Sequence, residues 1–117
     1  MSKKSKMYSI PLTLALDMME TSLFERDCYK DLILEALTEG QKDERLLEIL
    51  CDGFSINNKI VREVDTMVSM SPLVKSESDE ETVVLGPEDI QIFEALILSH
   101  HHLSKDLLKY NLSVAKN

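Results

Sequence analysis

The chain has 117 residues, with 13 Lys and Arg against 21 Asp and Glu and a net charge of -8. That length allows one domain with a modest core and leaves little room for a deep substrate cavity. The acidic balance excludes binding to nucleic acid through a general basic face, and adsorption to an anionic bilayer; the lysines at 3, 4 and 6 are too short a cluster to reverse it.

Three Gly, three Pro and no Trp, with Leu, Glu, Lys and Ile prominent, predict an all-α protein. Residues 1–9 read as a disordered tail. Pro11 suits the first helical position, and Leu12, Leu16, Met19 and Leu23 follow at steps of four and three. The pattern continues through Cys28, Leu32, Ile33, Ala36 and Leu37 to a stop at Gly40. Ser22 with Glu25 matches a capping box, which would break this helix near Thr21; one long helix is the preferred reading. A second helix starts at Lys42 or Asp43 and runs to about Met67. Leu46, Ile49, Gly53, Ile56, Ile60 and Met67 share one face, while Leu47, Leu50, Phe54, Val61, Val64 and Val68 share the next. A helix this broad-faced expects two neighbours. Gly53 costs about 1 kcal/mol against Ala there, which a close helix crossing would justify. Asn57 and Asn58 interrupt the apolar faces and are expected to face solvent.

Ser71-Pro72 ends the second helix, and an acidic, serine-bearing linker occupies about 71–86. Ser76 and Ser78 each precede an acid by three residues, a pattern open to an acid-directed kinase; an unmodified loop is the plainer reading. Gly86-Pro87-Glu88-Asp89 reopens helix, with acids at the positive end of the helix dipole. The last helix, Glu88 to about Tyr110, carries two apolar stripes. Ile92, Leu96, Leu103, Leu107 and Tyr110 are expected in the core. Ile90, Phe93, Ile97 and Leu108 form a second stripe about a third of a turn away, buried either by a wide bundle face or by another protein. Residues 112–117 are expected to fray. Three long helices, with one tight and one long connection, predict an antiparallel three-helix bundle over 10–111.

Catalytic and metal chemistry find little footing. His100, His101 and His102 are consecutive and point about 100° apart, so at most one serves any single site. Cys28 and Cys51 have no ligand-like spacing to them. In a chain without a secretory signal they read as reduced thiols of a cytoplasmic protein. No apolar run approaches the ~20 residues of a membrane span, and no glycine-rich phosphate loop occurs. No enzyme activity, cofactor or metal is expected. If exposed, Phe93 and Ile97 with His101 one turn on make a small apolar strip with a polar end, the composition of a protein-binding patch.

Leu46-Leu47-Glu48-Ile49 through Gly53, Ile56 and Ile60-Val61 resembles the middle helix of GAT domains, the three-helix ubiquitin-binding modules of GGA and Target-of-Myb adaptors. Leu96 to Tyr110, ending Leu103-Ser104-Lys105-Asp106-Leu107-Leu108-Lys109-Tyr110, is similar to that family's closing helix. The likeness spans roughly Leu12 to Tyr110 and rests on hydrophobic spacing. It implies weak binding of ubiquitin or ubiquitinated cargo through Ile90, Phe93 and Ile97 with His101 at the margin. The protein would then be a monomeric adaptor, held near endosomal or Golgi membranes by its partners. The family's Asn-Asp pair falls on His100 and His101, so an acid is replaced by imidazole. The alternative is an assembly subunit that buries the second stripe against other helical proteins or its own copies.

Overall fold

Residues 8–70, 73–75 and 81–114 are described by a computed structural model. In chain order the elements are β1 (Tyr8–Pro11), α1 (Leu12–Thr38), α2 (Glu44–Met70), β2 (Leu73–Lys75), β3 (Glu81–Leu85) and α3 (Pro87–Leu108). The three helices form a three-helix bundle in which α2 packs against both α1 and α3. A small antiparallel sheet of order β1-β3-β2 closes one end.

Local chemistry sets the helix ends. α1 runs unbroken through Thr21, so Ser22 and Glu25 are interior residues rather than a capping box. Gly40, at φ +70°, ends it: Gly40 N–H donates to Leu37 O and Gln41 N–H to Ala36 O, the paired bonds of a Schellman turn. Asp43 caps α2 by accepting the Leu46 N–H at 3.1 Å. At the start of α3 the Asp89 carboxylate accepts the Gly86 N–H at 3.0 Å. Asn111 repeats the left-handed stop at φ 60°. Beyond it Leu112 packs on the core and Val114 is buried, so the expected fraying does not begin at 112. The other end also departs from expectation. Tyr8–Pro11 is a strand paired with Glu81–Leu85, which lies within the segment read as a linker. The phosphorylation candidates Ser76 and Ser78 lie outside the described residues.

Two apolar clusters lie along the bundle. Ala15, Ile60, Val64, Met67, Val83 and Phe93 fill the sheet end. Tyr29, Ala36, Leu46, Ile49, Leu50, Leu103, Leu107 and Val114 fill the other. Between them in sequence position stand buried polar residues, Ser22 and Glu25 on α1 and Asn57 on α2. Asn57 is thus buried rather than solvent-facing. Its amide donates to Gly53 O at 2.9 Å, while Asn58 is half-buried and accepts from Arg26 at 3.3 Å.

Gly53 answers to a close crossing. A Cβ built there would overlap the Tyr29 ring, which is fully buried between α1 and α2. Gly53→Ala should therefore destabilise, although Ala is the better helix former by about 1 kcal/mol. The expected net loss is about 2 kcal/mol, read as a lower midpoint in urea denaturation, because the fully buried ring must shift to admit the methyl.

Candidate functional site

The α1–α3 side is where the bundle is left incomplete. Both helices lie on α2, but their own backbones stay farther apart than a packed pair. An apolar groove of about 700 Å³ opens between them. Leu14 and Met18 of α1, one turn apart, form one bank, and Ile10 of β1 with Leu85 of β3 closes the sheet end. The α3 bank presents Ile90, Phe93, Ile97 and Leu98, with Glu94 and His101 at its margin. A second stretch of about 340 Å³ shares Leu14, Met18 and Ile97 with the first. It runs on past Asp17 and Thr21 to Glu25 and His100.

All four residues of the expected partner strip line this groove, in different ways. Phe93 is buried and forms wall rather than surface, because its ring belongs to the sheet-end core. Ile97 is 51% exposed. Ile90 is half-buried and His101 is exposed. Leu14 and Leu98, exposed on opposite banks, were not singled out from sequence. The four-residue step from Leu14 to Met18 was the available signal on α1, but it is offset from the stripe that begins at Leu12.

The other expected stripe is corrected at both ends. Leu103 and Leu107 are core, but Ile92 is exposed. With the half-buried Leu96 it lines a shallow site on the α2–α3 side beside Lys59 and Arg62. Tyr110 is half-buried against the far cluster. On α1, Leu16 and Leu37 are exposed although their spacing matched a buried stripe.

The three histidines meet three surroundings, as consecutive helical positions require. His100 reaches α1, where its Nε2 stands 2.7 Å from Glu25 Oε2. His101 edges the apolar groove, and His102 lines a polar site with Arg45 and Asp106 between α2 and α3. Among the described residues no group of three His, Cys, Asp or Glu side chains could hold a metal. Burial, with Asp31, Glu25 and Asp27 nearby, pushes the Cys28 thiol up, so it makes a poor nucleophile. Cys51 is exposed, and neither cysteine is in a disulfide. No described helix is long and apolar enough to cross a membrane. Comparison with known proteins finds no matching family model, no matching curated sequence and no matching solved structure.

The charges around the bundle are uneven. Asp17, Glu25 and Glu94 line the α1–α3 side, with no Lys or Arg among the described residues there. The α2–α3 side is mixed instead, with Arg45, Lys59 and Arg62 beside Asp52, Glu63 and Asp106. There Glu63 is pushed up, first by burial and then by Asp89.

Two measurements follow. His100→Ala should cost about 2 kcal/mol in thermal or urea unfolding, because a buried carboxylate loses its hydrogen-bond partner; adding Glu25→Gln should recover part of that loss. For Glu63 the folded state holds its proton more tightly than the unfolded state does. Its penalty is absent below the ordinary value of 4.5 and grows as pH rises through the raised folded value. Glu63→Gln should then stabilise at pH 7 and not near pH 4, as seen by comparing unfolding midpoints at the two pH values.

Proposed function

We propose that this protein is a non-catalytic interaction module that receives a partner protein in the α1–α3 groove. The observation that carries the reading is the groove itself: an apolar trough with Leu14, Ile97 and Leu98 exposed along it. Water in such a trough is released when a partner's apolar side chains enter, which is the driving force of association. The raised Cys28 thiol and the separation of the three histidines support the absence of catalysis.

Within that reading, the likeness to GAT domains puts forward ubiquitin as the ligand, in cytoplasmic sorting of ubiquitinated cargo at endosomal or Golgi membranes. Ile97 and Leu98 would carry the apolar contact, with Ile90 and His101 beside them and Phe93 supporting from beneath. His100 would play no direct part, since Glu25 holds it. A patch this small implies a dissociation constant of about 0.1 mM, near -5.5 kcal/mol, so useful retention would come from several ubiquitins or several modules. Titrating isotope-labelled protein with ubiquitin should shift the amides of Ile97, Leu98 and His101, and Ile97→Asp should abolish the shifts. No change at those amides at millimolar ubiquitin rejects ubiquitin as the ligand.

A second reading, an assembly subunit of a helical complex, is favoured by Leu34 and Leu37, which are exposed on α1 and line no part of the groove. Sedimentation at micromolar concentration separates the two. The module runs as a monomer, and an obligate subunit stays associated.

A further inference from the structure

Resting on the reading of the α1–α3 face as a docking surface, we propose that the groove's occupant is one amphipathic helix of a partner protein, about three turns long, with Lys or Arg beside its apolar stripe. Shape argues first. The α3 bank runs from Ile90 to His101, roughly 16 Å at about 1.5 Å per residue, which is three helical turns. Its side chains at 90, 93, 94, 97, 98 and 101 recur at three- and four-residue steps, and on the other bank Leu14, Asp17, Met18, Thr21 and Glu25 of α1 recur in the same way. Ridges on both sides with an empty lane between them are what a helix presents to another helix. A helix laid there would meet α1 on one flank and α3 on the other, with anchors at i, i+4 and i+7.

Charge then selects the kind of helix. Asp17 and Glu94 stand exposed along the groove, and no Lys or Arg lines it among the described residues. Basic residues flanking the partner's apolar stripe complement that rim; acidic ones are repelled by it. The same rim disfavours a second copy, since two grooves face to face would set Asp17 and Glu94 against their own counterparts in chains of net charge -8 each. A small apolar molecule fits less well, because the groove is open along its length and such sites enclose most of their ligand.

The test uses the full chain and a capped peptide of about 15 residues, with Leu at i, i+4, i+7 and i+11 and Lys and Ala elsewhere. A Glu-for-Lys version and a scramble of the same composition serve as controls. The Lys peptide should shift amides at Leu14, Ile97 and Leu98 and bind at least roughly tenfold more tightly than either control. Ile97→Asp should weaken it by a similar factor. Asp17→Lys with Glu94→Lys should reverse the preference between the Lys and Glu peptides, a result that general attraction to an acidic protein would not give. Equal binding of the Lys and Glu peptides, equal binding of the scramble, or shifts confined to the Lys59 and Arg62 side overturns the proposal. If the peptide leaves the groove unperturbed while ubiquitin or a second copy perturbs it, the helical occupant is wrong and the docking face stands. If none of the three perturbs it, both are wrong.

Discussion

The close approach of α1 to α2 governs the molecule. Gly53 removes a side chain where the two helices meet, and Tyr29 fills that space. Along α1 the buried positions are small or polar at Ala15, Ser22, Glu25 and Ala36. A face of small side chains lets two helices pack tightly, but it leaves the large apolar residues of α1 pointing elsewhere. Leu14, Leu16, Phe24, Leu34 and Leu37 are all more than two-fifths exposed as a result. α3 then sits on the other flank of α2, and the space between α1 and α3 is lined with side chains that neither helix covers.

Polar groups in the middle of the bundle decide how that space is held. Glu25 is nearly buried on α1, and His100 reaches it from α3 at 2.7 Å. The pair bridges α1 and α3 and satisfies a carboxylate that would be costly to leave unpaired. Asn57 sits beside this level on α2 with its amide returned to Gly53 O. Apolar packing on either side of this polar layer gives two clusters rather than one continuous core, with Ile56 in contact with both. The groove extends from the sheet to the Glu25–His100 pair, which limits its length to about three turns of helix.

The sheet has a modest structural role with a direct bearing on the groove. Ile10 on β1 and Leu85 on β3 form its closed end, and Tyr8↔Leu85 through Pro11↔Thr82 hold that end in register. None of this was legible along the chain. The pairing joins segments more than seventy positions apart, and a four-residue strand ending in Pro has no periodicity long enough to read. Phe93 and Ile92 tell a similar story at a single turn. Both are large and apolar on neighbouring faces of α3. Only the position of α2 and β3 determines that the ring goes inside while Ile92 stays half in water.

Local signals written in the residues settled what neighbouring atoms alone control. Gly40 stops a helix because it adopts positive φ without a Cβ penalty, Pro87 opens one because it has no N–H to satisfy, and alternation at three and four marks the helices between. The need for a close crossing at Gly53 was also readable, since a glycine inside a helix otherwise weakens it. Which of several apolar stripes would be covered was a different matter. Burial depends on where the other helices lie, and on α1 and α3 apolar side chains point in too many directions for spacing to choose among them. The packing of α2 made that choice, leaving the Leu14–Ile97–Leu98 side open and turning Asn57 and Glu25 inward.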